Sequence, residues 1–173
     1  NLDSLEMPKL KEDSTEKILE MLEIVNNERL WVIAESLRRG ITIEEIHKTT
    51  KIDKFFINKI SKIVKMEEEL QNKKLTKELL LKAKKMGYLD KVISRITKIK
   101  EEDIKKKRME WEITANFKLV DTCSAEFEAK TPYYYSSYDD ENESIDSKNS
   151  KKIVVLGSGP IRIGQGIEFD YCS

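Results

Sequence analysis

Late in this 173-residue chain stands Leu156-Gly157-Ser158-Gly159-Pro160-Ile161-Arg162-Ile163-Gly164-Gln165-Gly166, four glycines and an arginine directly after the apolar Ile153-Val154-Val155. A strand that runs through a glycine turn into a helix aims backbone N–H groups at one point. Such a point can hold an anion, and Arg162 would add charge to it, so a phosphate cradle is one reading. A dinucleotide fingerprint is excluded, because G-x-G-x-x-G starting at Gly157 and Gly159 would need its third glycine where Arg162 stands. The other reading is architectural, with Gly164 and Gly166 only letting the backbone pass close to another element. Glu168 and Asp170 lack the partner that would mark an acid and base pair. Cys123 and Cys172 lie in different segments without ligand spacing, and the single His47 cannot build a histidine metal site.

The elements that must position this turn are mostly missing. Ile153-Val154-Val155-Leu156 is apolar on both faces, as in a parallel sheet covered by helices on each side. The rest of the chain supplies no such sheet. With no initiator methionine or signal-peptide pattern at Asn1-Leu2-Asp3, the chain is expected to be cut at both ends. At 39% hydrophobic and 37% charged residues it reads as a globular protein, and Lys plus Arg equals Asp plus Glu at 32, so there is no overall pull toward nucleic acid or acidic lipid. No apolar run approaches the roughly 18 residues that a membrane span requires. Reduced thiols and a cytoplasmic location are expected.

From about Thr15 to Trp111 there is no proline, glycine occurs only at Gly40 and Gly87, and apolar residues recur at helical spacing. An all-helical region follows. Asp53 to Gln71 predicts a helix capped by Asp53, with Phe56, Ile60, Ile63 and Val64 on its inner face and Ile57 at the flank. Thr42 and Glu45 form a capping-box pattern, with staples Ile41–Ile46 and Ile52–Ile57. Gly40 and Gly87, Ile46 and Ile93, Thr50 and Thr97, Lys51 and Lys98, Ile52 and Ile99, and Ile57 and Ile104 are all 47 residues apart. This predicts two copies of one helix-turn-helix unit. Each glycine is expected at a left-handed position after a helix end, where Arg38-Arg39 and Lys84-Lys85 suit the helix dipole. The copies are expected to share a bundle core of Trp31, Ile33, Leu37, Phe56, Ile60, Leu80, Leu81, Ile93, Ile96 and Ile104.

Residues 73–108 carry 12 Lys and 2 Arg against 5 acids. A basic helix-turn-helix-like nucleic-acid-binding module is therefore the rival reading. Against it, the second helix of that unit opens Lys100-Glu101-Glu102-Asp103, acids at the end that would meet phosphate. Tyr133-Tyr134-Tyr135 and Tyr138 follow an extended-looking Asn116–Val120; half-burial at a domain contact is favoured over base stacking. Residues 139–152 read as an exposed linker.

The strings VDTCSAEFEAKTPYYYSSYDDE at 120–141 and KIVVLGSGPIRIGQGIEFDYC at 152–172 resemble, in order and at the family's separation, the junction in the large chain of carbamoyl-phosphate synthetase. RLWVIAESLRRGITIEEI and KIDKFFINKISKIVKMEEEL resemble its central helical, or oligomerisation, domain. Departures fall at Ser158, Leu119 and Ser173, where the family commonly has Gly, Arg and a Cys or similar small residue. The resemblance implies a mainly α fold: a helical oligomerisation-type domain over 1–118 with two helix-turn-helix-like repeats, then an extended junction and polar linker over 119–151. The first strand, glycine turn and helix start of a truncated α/β domain of the ATP-grasp type would follow over 152–173. It implies a scaffold and association piece between two synthetase halves, inactive alone, in an ATP-dependent ligase that makes carbamoyl phosphate for pyrimidine and arginine biosynthesis. Its partners would be the two halves, a glutaminase chain or domain and further large chains, not a membrane or nucleic acid. No cofactor is expected in this piece; ATP, magnesium and potassium are implied for the complete enzyme. By resemblance Arg162, Gly166 and Glu168 would line a carbamate passage, while Asp121-Thr122-Cys123 would serve only the domain junction.

Overall fold

The computed structural model describes residues 3–128, 133–144 and 151–154. It divides into units 1–143 and 144–173. Among the described residues the first is eight helices, α1 (Pro8–Glu12), α2 (Thr15–Glu23), α3 (Arg29–Arg38), α4 (Ile43–Thr50), α5 (Lys54–Asn72), α6 (Lys77–Lys85), α7 (Asp90–Thr97) and α8 (Glu101–Glu110), followed by strands β1 (Asn116–Leu119) and β2 (Tyr134–Ser137).

The 47-residue repeat is present in the backbone. α4 and α7 span equivalent residues, α5 and α8 start at equivalent residues, and Gly40 and Gly87 both adopt positive φ, +82° and +88°. Both glycines sit in Schellman motifs: Gly40 N–H donates to Leu37 O and Ile41 N–H to Ser36 O, as Gly87 does to Lys84 O and Tyr88 to Ala83 O. Lys51 and Lys98 end α4 and α7 in the same left-handed conformation, φ 60° and 61°. Thr50 and Thr97 each donate their hydroxyl to the carbonyl four residues back, at 2.7 and 2.8 Å. The capping box at Thr42 and Glu45 forms, and Asp53 caps α5 by accepting from Phe55 N–H.

Among the described residues two core clusters form instead of one shared bundle core. Ile18, Leu22, Ile33, Ile46 and Ile57 are central to the first, and Met66, Leu70, Leu80, Ile93 and Ile104 to the second. α5 runs through both, giving Ile57 to the first and Met66 and Leu70 to the second. The buried stripe of α5 runs through Ile57, Ser61, Val64, Glu67 and Leu70 at three- and four-residue steps, so it passes through Ile57 and leaves Phe56 beside it. The expected face is therefore corrected: Ile57, assigned to the flank, is fully buried, whereas Phe56, assigned to the core, is 60% exposed. Of the other expected core residues, Ile33, Leu80, Ile93 and Ile104 are buried, and Trp31, Leu37, Ile60, Leu81 and Ile96 pack at the cluster edges.

β1 and β2 pair antiparallel, from Asn116 opposite Ser137 to Leu119 opposite Tyr134. The outer edge of β1 is covered by the polar segment behind β2. Phe117 N–H donates to Asn142 Oδ1 at 3.0 Å, Phe117 O accepts from Glu143 N–H at 2.8 Å, and Leu119 N–H donates to Glu143 Oε2 at 2.7 Å. Side chains and one amide thus satisfy an edge that would otherwise recruit another strand. In unit 144–173, Ile153 and Val154 lie in no strand and are 90% and 80% exposed. An apolar strand needs neighbours on both sides, and the described residues of that unit provide none.

Candidate functional site: a polar hub beneath the hairpin

Arg162, Gly166 and Glu168 lie outside the described residues, as does Cys172. Among the described residues no group of three or more His, Cys, Asp or Glu could hold a metal. His47 turns Nδ1 to Ile52 O at 2.7 Å, within a helix–helix turn. Asp121 closes its own turn by accepting from Cys123 N–H at 2.9 Å and Ala125 N–H at 2.6 Å, with Ser124 and Ala125 at positive φ.

The concentrated electrostatics lie in the second repeat. Lys84, in the last turn of α6, is only 7% exposed. The Schellman turn at Gly87 brings the chain back across it, so Lys84 Nζ donates to Tyr88 O and to Asp90 Oδ1, both at 2.8 Å. From α8, Arg108 Nε donates to Asp90 Oδ2 at 3.1 Å and Nη1 to Ile113 O at 3.3 Å. One carboxylate thus bridges two cations from two helices. Against Lys84 lies the Tyr138 ring, whose centroid is 5.2 Å from Nζ, a cation–π contact that seats the strand hairpin on the helices. Of the four clustered tyrosines Tyr138 packs against the helical core, while Tyr133, Tyr134 and Tyr135 are exposed.

Burial on its own would push the Asp90 carboxyl up; the Lys84 hydrogen bond and charge, joined by Arg108, outweigh it and hold Asp90 below the usual aspartate value. A second network ties the first repeat to the chain before it. Arg38 grips both oxygens of Glu67 on α5 at 2.8 and 3.2 Å and donates to Leu5 O, while Arg39 binds Glu35 and the carbonyls of Leu10 and Asp13. The two arginines at the end of α3 therefore join segments, where the sequence suggested only dipole partners. Tyr88 donates its hydroxyl to Ile63 O, and burial, followed by the nearby Glu67 charge, pushes its phenol up.

Sequence reasoning missed the hub, although the repeat carried its signal. At the 47-residue offset Lys84, Asp90 and Arg108 stand where the first copy has Leu37, Ile43 and Ser61. Three ionic residues at positions of a core-edge leucine, a core-edge isoleucine and a buried serine point to a site. The nucleic-acid reading finds no support: eight of the fourteen cations in 73–108 already face a carboxylate. The first turn of α8 carries Glu101, Glu102 and Asp103.

Residues 1–112 match the family model described as carbamoyl-phosphate synthetase large chain, oligomerisation domain. The chain belongs to the carbamoyl-phosphate synthetase large chain family. Residues 149–173 match the carbamoyl phosphate synthase preATP-grasp domain. Among curated relatives, the carbamoyl phosphate synthase large chain of Lachnoclostridium phytofermentans is 55% identical over 174 residues, covering 100% of this chain and 16% of the relative. That of Agathobacter rectalis is 53% identical over 173 residues, again 100% and 16%, and that of Methanosarcina barkeri 49% over 153 residues, 88% and 14%. The chain thus spans about one sixth of the length of these carbamoyl phosphate synthase large chains. No helix among the described residues is long and apolar enough to cross a membrane.

Proposed function

We propose that this chain is the helical scaffold between the two synthetase halves of a carbamoyl-phosphate synthetase large chain, together with the opening elements of the second half. The carrying observation is the order of two matches in one polypeptide, an oligomerisation domain over 1–112 and a preATP-grasp domain over 149–173. In the complete cytoplasmic enzyme, one half would use ATP to activate bicarbonate and form carbamate with ammonia from a glutaminase chain or domain. The other would phosphorylate carbamate with a second ATP, magnesium and potassium serving both. The helical part would hold the halves apart at a fixed distance and join large chains to one another, without catalysing alone. The hub supports this role, since a spacer must transmit position, and Lys84, Asp90 and Arg108 fix the hairpin to the helices through Tyr138. Arg162, Gly166 and Glu168 would line the passage for carbamate, Gly166 keeping it open.

Exchanging residues 1–173 for the matching stretch of the L. phytofermentans large chain tests the reading. The chimera is expected to retain bicarbonate-dependent ATPase, ATP synthesis from ADP and carbamoyl phosphate, and overall synthesis. Loss of all three in a folded chimera refutes the scaffold. Gly166→Leu in the same chimera is expected to spare both partial reactions and abolish most overall synthesis; loss of ATP synthesis as well would leave Gly166 a turn residue only.

A further inference from the structure

The two copies differ most in chemistry at the start of their third helix. Phe55 and Phe56 occupy the second and third positions of α5; the equivalent positions of α8 hold Glu102 and Asp103. The rings are 58% and 60% exposed and packed edge to face, centroids 5.4 Å apart at 88°. Two adjacent exposed phenylalanines are a docking feature, while the acidic pair on the same backbone shows that the fold does not demand rings there. Lysine lines the patch. Lys59 places its ammonium 4.9 Å from the Phe55 centroid, and Lys62, one turn further along that face, meets no carboxylate among the described residues. A two-fold pairing of this patch with itself would set lysines against lysines, which argues against a second copy as its occupant.

We infer that Phe55 and Phe56 plug into an apolar recess rimmed by carboxylates on the remainder of the same large chain, locking one end of the helical body to a synthetase half. The inference rests on the scaffold reading. The matched relatives keep about five sixths of their length outside the stretch this chain covers. A surface tethered in the same polypeptide meets the patch at an effective concentration no separate partner reaches. Lys59 and Lys62 would then face the rim and fix orientation.

Thiol labelling with peptide mapping tests it, comparing Phe55→Cys with its repeat equivalent Glu102→Cys, each in the 173-residue chain and in the complete chimeric large chain. Position 55 is expected to react about tenfold or more slowly in the complete chain, with position 102 unchanged, because a docked site reacts only when it opens. Equal rates at position 55 in both proteins would overturn the docking. Protection that appears only as protein concentration rises would assign the patch to a second copy and overturn the tether. Adding Lys59→Glu and Lys62→Glu is expected to restore fast labelling; unchanged protection would overturn the carboxylate rim. Overall synthesis by the chimera without these substitutions, measured in parallel, reports the scaffold reading separately.

Discussion

The repeats α3–α5 and α6–α8 share turns to the residue and differ in what fills them. Their glycines, left-handed lysines and threonine hydroxyl bonds coincide at the 47-residue offset. The first copy packs Leu37 and Ile43 against its core and exposes Phe55 and Phe56; the second buries Lys84 with Asp90 and Arg108 and exposes Glu102 and Asp103. Backbone geometry persists because each turn is fixed by local hydrogen bonds. Side chains at matching positions were free to take opposite chemistry, one copy carrying a hairpin and the other an exposed aromatic pair. A duplicated scaffold thus acquires two distinct ends.

The sharpest test is to turn the hub into its counterpart. Asp90→Ala should cost about 3–5 kcal/mol in urea unfolding, because two cations lose their shared carboxylate in a buried site. Lys84→Leu, Asp90→Ile and Arg108→Ser together should recover much of that loss, since a matched apolar set replaces the trio; a triple variant no better than the single one would break the equivalence of the copies.

Next in size are Ile57→Ala and Ile104→Ala, equivalent and both fully buried. Each should cost about 2–5 kcal/mol. Similar losses in thermal melts would sharpen the duplication, and a near-zero loss at either position would break it.

Acid should act on the second copy through the hub. The folded-state pKa of Asp90 lies below the unfolded value near 3.8, so its stabilisation is complete above that value and lost as pH falls through the depressed one. Asp90→Asn should flatten the stability–pH curve below about pH 4. An unchanged acid limb would show that Asp90 titrates normally.

The smallest effects concern the turns. Gly40→Ala and Gly87→Ala should each cost about 1 kcal/mol, and by backbone conformation alone, because an added Cβ meets nothing within 4 Å at either place. Conversely Lys51→Gly, Lys98→Gly and Glu112→Gly, all relieving positive φ, should change stability by about 1 kcal/mol or less in the favourable direction. Glu112 is the instructive one: α8 ends in a third Schellman pair, Glu112 N–H to Met109 O and Ile113 N–H to Arg108 O, without a glycine.

By itself the sequence determined what acts over a few residues: helices from periodicity, the capping box at Thr42 and Glu45, the Asp53 cap, the left-handed glycines and the repeat. These depend on hydrogen bonds and sterics between near neighbours, and are written locally. The family, too, was legible from two strings at 120–141 and 152–172. Tertiary structure alone decided which face of α5 is buried, since Phe56 and Ile57 are adjacent and comparably apolar, and only the positions of α3 and α4 place Ile57 inward. It also decided that Tyr138 would lie over Lys84 and that Asn142 and Glu143 would close the edge of β1, contacts across 54 and about 25 residues. Such pairings carry no sequence period, because their energy comes from elements that meet only after the chain has folded.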